Sequence, residues 1–495
     1  MLFNSQEFIF LYLPIVFAAF YALGAHSRRV AAGWLVLASV FFYGWWAAAY
    51  VLLLLTSITT NFTFGVLLAR DGNSSRQRAA LLVVAVGLNL LLLGYYKYAG
   101  FFANALSSLS GTQLRIAEVV LPLGISFFTF TQIAFLVDTY KGYVKDFNFI
   151  HYALFVTYFP HLIAGPILHH KEMMPQFAKP ETYRLDAARV AVGLTIFGFG
   201  LFKKVVLADN VAPYVGPVFD APGFQPTLIE AWGGALAYTA QLYFDFSGYC
   251  DMAVGLSLLF GVRLPLNFNS PYKAVNISDF WRRWHMTLSR FLRDYLYIPL
   301  GGNRKGPTRR NVNLMATMLL GGLWHGAGWT FVAWGGLHGL YLAINHAWRH
   351  MRSRAGHDLE RTTFAGRLAG RLVTFIAVVF AWVLFRASDM ASAGNIMAGM
   401  IGLNGLEFSR LPAFFWPNQP LWTGVCLAIA FFLPNVAQMM RAYRPVLDKV
   451  AAERERYELR AAWRPTLGWV ALSATLTWIA VLGVSKVSPF LYFQF

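Results

Sequence analysis

Long apolar runs alternate with short polar segments along nearly the whole chain. A helix that crosses a bilayer needs about 20 mostly apolar residues. The runs that approach this length are Phe8–Leu23, Ala31–Trp46, Val51–Leu68, Ala79–Tyr96, Val119–Val137, His151–Leu168, Ala187–Val206, Trp232–Phe260, Val312–Trp348, Leu372–Phe385, Leu421–Met440 and Leu467–Val484. Trp232–Phe260 is long enough for two short elements or one tilted one. The pattern predicts an all-α, polytopic bundle of roughly eleven to thirteen helical elements, at about 20 residues per span. Some are short or re-entrant, where Gly, Pro or His interrupts the run. Ala31–Trp46 and Val51–Leu68 are expected to form a tight up-and-down pair. Val312–Trp348 is expected to form a hairpin that turns near Trp324-His325-Gly326.

Composition agrees with a bilayer as solvent. Of 495 residues, 57% are hydrophobic and 13% charged, and the mean hydropathy is +0.49. A soluble domain carries roughly a quarter charged residues. The balance excludes a large water-soluble enzyme and a disordered chain; the two cysteines, Cys250 and Cys426, lie in separate apolar stretches. The net charge of +18 would suggest nucleic acid as partner of a soluble protein. Here the basic residues sit in short loops between apolar runs, so they read as cytoplasmic loop ends near anionic lipid headgroups, with no nucleic-acid partner.

Arg28 and Arg29 follow the first run, which places the N-terminus outside and this loop inside. Gln6 and Glu7 precede that run and no small-residue cleavage site closes it, so it does not read as a signal peptide. Arg70–Arg78 is a basic loop that ends the expected pair, and Arg304–Arg310, Arg349–Arg371 and Arg441–Arg464 read as cytoplasmic, which leaves the C-terminus outside. Without internal repeats or a soluble linker, residues 1–495 read as one integral membrane domain, with the chemistry expected in residues 232–348.

Polar side chains inside a membrane are functional candidates by default. His325 and His338 lie in LLGGLWHGAGWTFVAWGGLH, Leu319 to His338. Gly321, Gly322, Gly326 and Gly328 permit a helix break or close backbone approach beside His325. A buried, neutral imidazole suits a general base; the alternative is a packing histidine bonded to a neighbouring carbonyl. On a continuous helix His325 and His338 stand about 220° apart and face different ways. The stretch Ser278 to Ile298 reads as an amphipathic interfacial helix with Ser278 as N-cap, an apolar stripe of Trp281, Trp284, Leu288, Phe291 and Tyr295, and the pairs Asp279–Arg283 and Arg290–Asp294. His285 lies beside the stripe, where interfacial packing does not require it. Asp245 and Asp251 interrupt the apolar run Gln241–Asp251. They hold basic partners structurally or orient a catalytic group, and the structural reading is preferred. Asp138 and Lys141 end a span. His169-His170 and the remaining residues offer no metal-ligand spacing, so no metal is expected; no phosphate loop or GxSxG elbow occurs. Cys250 reads as a small buried apolar residue.

Seven segments in order resemble the membrane-bound O-acyltransferase family, in its bacterial polysaccharide-acetylating branch. They are Ser39-Val-Phe-Phe-Tyr-Gly-Trp-Trp46, Leu121-Pro-Leu-Gly-Ile-Ser-Phe-Phe-Thr-Phe130, Phe159-Pro-His-Leu-Ile-Ala-Gly-Pro166, Tyr243-Phe-Asp-Phe-Ser-Gly-Tyr249, Asp279-Phe-Trp-Arg-Arg-Trp-His285, Tyr297-Ile-Pro-Leu-Gly-Gly-Asn-Arg304 and Trp324-His-Gly326. The resemblance implies a helical bundle around a central tunnel, His325 as the histidine required for acyl transfer, and His285 at the second polar position. Asp279, Trp324, Tyr243 and Asp245 are the expected substrate contacts. No permanently bound cofactor is implied, only acetyl-CoA or another acyl thioester as cytoplasmic donor. Expected partners are a periplasmic SGNH-type acetyltransferase or other polysaccharide-modification protein and membrane lipids, in the bacterial inner membrane. In that chemistry His325 removes the acceptor hydroxyl proton, and His285 or a backbone N–H freed at the Gly-rich break stabilises the oxyanion. D-alanyl transfer from a carrier protein is the rival within the family. A proton-coupled transporter is the rival from another class, although the paired broken helices usual in transporters are not seen.

Overall fold

The computed structural model describes residues 1–112, 119–359, 363–407, 418–448, 450, 461–484 and 490–491, and among them there are helices and turns but no strand. A π-helical turn Phe8–Tyr12 leads into α1 (Leu13–His26), followed by α2 (Arg28–Ala69), α3 (Ser75–Leu93) and α4 (Ala99–Ser110). Then come α5 (Ile125–Tyr140), α6 (Phe149–Thr157), α7 (His170–Ala178), α8 (Ala187–Phe202) and α9 (Leu228–Leu259). Two short helices, α10 (Ile277–Trp281) and α11 (Met286–Leu292), precede α12 (Gly306–His325) and α13 (Trp329–Arg354). The chain continues with α14 (Phe364–Arg386), α15 (Met390–Met400), α16 (Asn418–Phe432) and α17 (Leu467–Gly483). The protein is an all-α, multi-pass membrane bundle. Among the described residues, Phe8–His26, Ala48–Ala69, Ser75–Ser110, Ala187–Phe219 and Phe364–Arg386 are long and apolar enough to span. The helices α9, α12 and α13 fall outside that set, their apolar character interrupted by Asp245, Asp251, Asn313, His325 and His338.

Three expectations need correction. The up-and-down pair is one helix: α2 runs unbroken for 42 residues, about 63 Å at 1.5 Å per residue. Residues 47–50 read AAAY, and alanine is the best helix former, so nothing there ends the helix. The basic segments at Arg28-Arg29 and Arg70–Arg78 therefore stand at its opposite ends. Next, the run His151–Leu168 is helical only to Thr157 and then turns through Tyr158–Gly165. Pro160 disfavours a helical residue before it and cannot donate to the helix ladder. Finally, Ser278–Ile298 is not one amphipathic helix, because α10 and α11 are separated at His285, whose φ is +43°. Asn276, not Ser278, caps α10 by accepting from Asp279 N–H, while the Ser278 hydroxyl accepts from Asn345 on α13 at 2.8 Å. Residues 449 and 451–460 of the basic segment Arg441–Arg464 lie outside the described residues.

Two close helix crossings position the polar residues. On α8 and α9, Gly193 faces Gly255 and Gly200 faces Gly248: a Cβ at Gly200 would stand 2.6 Å from the Gly248 carbonyl oxygen. Small residues let the backbones approach where lipid supplies no hydrophobic drive. The hairpin of α12 and α13 forms as expected, with the break at Gly326–Gly328. A Cβ at Gly335 would meet the Met318 carbonyl, and one at Gly322 the Phe331 carbonyl. Gly335→Val should therefore force the hairpin apart and destabilise the protein by about 1–3 kcal/mol. Gly336→Ala, whose Cβ would sit 3.4 Å from Leu319, should leave stability nearly unchanged. Thermal unfolding of both variants in detergent checks the pair.

Candidate functional site

Helix α12 ends inside the protein, and a helix end leaves its last carbonyls without intrahelical partners. Beside that end, the π-helical turn Gly94–Tyr98 joins α3 to α4. Its Lys97 ammonium donates to the Trp324 carbonyl at 2.6 Å and to the His325 carbonyl at 3.2 Å. Tyr98 Oη donates to the Leu323 carbonyl at 3.0 Å. Two consecutive side chains thus satisfy three consecutive carbonyls, and a third Lys97 contact reaches Ser126 Oγ at 3.3 Å. The cation also complements the negative end of the α12 dipole. Lys97 was not singled out in the sequence; its position between the apolar run Ala79–Tyr96 and the apolar residues that follow it was the available signal.

The break turns the His325 ring into an aromatic cage. Its centroid lies 4.9 Å from Trp324, 5.3 Å from Trp334 and 5.1 Å from Phe385. His285 enters from the α10–α11 junction, 6.2 Å from His325 between ring centroids and 4.9 Å from Phe246. Because the helix breaks there, His325 and His338 do not face different ways as they would on a continuous helix: both rings contact Trp334, His338 at 4.9 Å. A cavity of ≈ 90 Å³ reaches His325 and is lined also by Lys97, Ser126, Phe127 and Trp324.

The other expected contacts separate into groups. Trp324 is buried between Phe127, Phe130 and both histidines. Tyr243 lies one layer away, against Phe268 and Tyr272, and Phe268 bridges to Trp284. Asp279 is engaged in building its own segment: it binds Arg283 Nε at 2.8 Å and accepts from Val275 N–H. The expected Arg290–Asp294 pair does not form; Arg290 binds Glu172 and Asp294 binds Arg293. Asp245 pairs with Lys204 at 2.7 Å and accepts from Leu491 N–H, while Asp251 pairs with Lys203 at 2.5 Å. The structural reading of these two acids is the one the geometry carries, and Phe246, the neighbour of Asp245, is what meets the site. Buried carboxylates retain their charge only when paired.

A second polar network lies at the end of the His151–Leu168 run. His170 Nδ1 lies 3.2 Å from Asp138, and Tyr295 Oη donates to the same carboxylate at 2.9 Å. His169 Nδ1 reaches Tyr295 Oη at 3.2 Å. The tyrosine proton is committed to Asp138, so His169 donates. Burial, with Arg290 beside it, pushes the His169 imidazole down to about 4. The network fixes the π-helical turn Arg293–Tyr297 that follows α11. Among the described residues no group of three His, Cys, Asp or Glu side chains is placed to hold a metal ion.

The family model of the membrane-bound O-acyltransferases matches residues 41–385. The chain belongs to the membrane-bound O-acyltransferase family. It is a membrane-bound O-acyltransferase and draws on an acyl donor, which sets the transporter reading aside. It is 43% identical over 438 residues to a peptidoglycan O-acetyltransferase of Helicobacter pylori, covering 83% of this chain and 82% of the relative. It is 38% identical to a probable alginate O-acetylase AlgI of Pseudomonas putida, with both chains covered in full. A teichoic acid D-alanyltransferase of Streptococcus thermophilus is 26% identical over 65% of this chain and 85% of the relative.

Removing the Lys97 ammonium strands the Trp324 and His325 carbonyls. Lys97→Met is expected to lower stability by about 1–3 kcal/mol and to reduce acyl transfer in the surviving folded fraction. Denaturant unfolding in micelles, paired with turnover per folded molecule, measures both.

Proposed function

We propose that this acyltransferase moves an acetyl group from a cytoplasmic thioester, acetyl-CoA or another acyl thioester, across the bacterial inner membrane. The acetyl group serves O-acetylation of an exported or envelope polysaccharide such as alginate, directly or through a periplasmic SGNH-type partner. The observation that carries the reading is the cavity on His325. It is small, at ≈ 90 Å³, and is walled by Trp324 and Phe127, which suits a short acyl head. Two similar proteins, a probable alginate O-acetylase and a peptidoglycan O-acetyltransferase, support acetyl over D-alanyl. They differ in polymer, so the acceptor is stated as a class.

In this reading residues 1–495 form one domain, with the reaction in the stretch 232–348 and a tunnel extending the cavity toward both faces. The acceptor hydroxyl oxygen attacks the thioester carbonyl carbon while neutral His325 takes its proton. The C–S bond then breaks, and His325 returns the proton to the departing thiolate. General base catalysis contributes about 10²–10⁴-fold, and holding both reactants at one point supplies more. His285 is the second catalytic imidazole, and Trp324 forms a wall of the acyl site. Asp279 and Tyr243 support the segments beside it.

The test uses purified protein in liposomes with labelled acetyl-CoA and a polysaccharide acceptor or its transferring partner. His325→Ala should lower label transfer by about 10²–10⁴-fold at matched protein level. Wild-type turnover in that variant removes His325 from the mechanism, and no label leaving acetyl-CoA in the wild type excludes acetyl-CoA and leaves another acyl thioester as donor.

A further inference from the structure

His285 does not stand alone in its pocket. Asn267, in the loop between α9 and α10 and itself buried, brings its side-chain oxygen to 3.1 Å from His285 Nδ1. The same oxygen receives the Thr287 hydroxyl at 2.9 Å and the Thr287 backbone N–H at 3.3 Å. A backbone N–H can only donate, so the Asn267 atom facing it is the carbonyl oxygen and not the amide nitrogen. The amide nitrogen then points the other way, where it donates to Cys250 Sγ at 3.2 Å. The Thr287 hydroxyl can spare its proton for Asn267 because its oxygen accepts from Ile167 N–H at 2.9 Å. The Asn267 backbone carbonyl also accepts from Met286 N–H at 3.0 Å, next to the left-handed backbone of His285. Every partner of the Asn267 oxygen is thus a donor, and a carbonyl oxygen has no proton to give to an imidazole.

We infer that Asn267 is a positioning residue that holds His285 as the Nδ1–H tautomer, so that His285 serves the reaction as a hydrogen-bond acceptor at Nε2. The inference rests on the proposed acyl transfer and sharpens it. Neutral His285 has a single N–H, and that N–H is committed to Asn267. The oxyanion donor therefore has to come from elsewhere in the site. Full burial against Phe246, Phe268 and Trp324 favours the uncharged ring. The arrangement parallels the general rule that the partner of one imidazole nitrogen decides what the other can do.

The tautomer is read directly by nitrogen NMR of the detergent-solubilised full chain labelled with ¹⁵N-histidine, with His285→Ala assigning the signal. A protonated Nδ1 is expected in the wild type and in Asn267→Asp, which keeps the acceptor oxygen, and a changed ratio in Asn267→Ala. An unprotonated Nδ1 in the wild type overturns the inference, whether or not any variant folds. In the transfer assay, Asn267→Ala should lower kcat roughly ten- to a hundred-fold with KM for the donor little changed. In a His285→Ala background the same substitution should cost nothing further. Independent, multiplying losses would show that Asn267 does not act through His285. Because the NMR measurement requires no turnover, a wild type with the expected tautomer and no transfer would refute the acyl-transfer reading alone.

Discussion

The site depends on a helix end whose last carbonyls are satisfied by side chains of a neighbouring helix. Three carbonyls at the close of α12 are left without helical partners, and a bare carbonyl in a dry interior costs several kcal/mol. Lys97 and Tyr98 remove that cost from one π-helical turn of a neighbouring helix. A turn wound with one extra residue re-aims successive side chains, and such turns recur at functional positions. The Lys203–Ala208 turn carries both lysines that pair with Asp245 and Asp251, and the Arg293–Tyr297 turn carries Tyr295. In each case a local departure from α-helical geometry brings a charge or hydroxyl to a partner on another helix.

The aromatic residues perform a different task from the polar ones. Trp324, Trp334, Phe385 and Phe246 surround the two imidazoles with large ring surfaces that leave little room for water. An excluded-water environment strengthens whatever electrostatic interaction remains and limits hydrolysis of an activated acyl group. The polar partners are kept one step back: Lys97 on the α12 carbonyls and Asn267 on His285. The charged groups therefore hold backbone and helices, while the side chains that meet at the site are aromatic and imidazole rings.

The glycines belong to the same economy of space. Close approach of α12 to α13 is set by Gly322 and Gly335 against opposing backbone carbonyls, and Gly326 leaves room for the Phe331 ring at the break. None of these three has a left-handed φ, so their requirement is steric rather than conformational. His285 is the converse case: a non-glycine residue held at positive φ, a conformation that persists only where the surroundings over-determine it. Its surroundings are the Asn267–Thr287 hydrogen bonds.

Helical class, membrane residence, the hairpin centred on His325 and the family motifs were legible in the sequence, because apolar run length and glycine spacing report local requirements directly. The α2 helix was not: a run of small helix formers at 47–50 separates two apolar stretches by composition but contains nothing that bends the chain. The positions of single polar residues were visible, whereas their partners were not. Lys97 meets Trp324 across 227 positions, Asn267 meets His285 across 18, and Asp245 meets Lys204 from another helix. Which acid meets which base, and which oxygen meets a histidine nitrogen, follows from how helices pack, and a hydrogen bond between distant segments leaves no periodicity along the chain. The sequence determined that polar groups had to be paired in the bilayer; the tertiary structure chose the pairs.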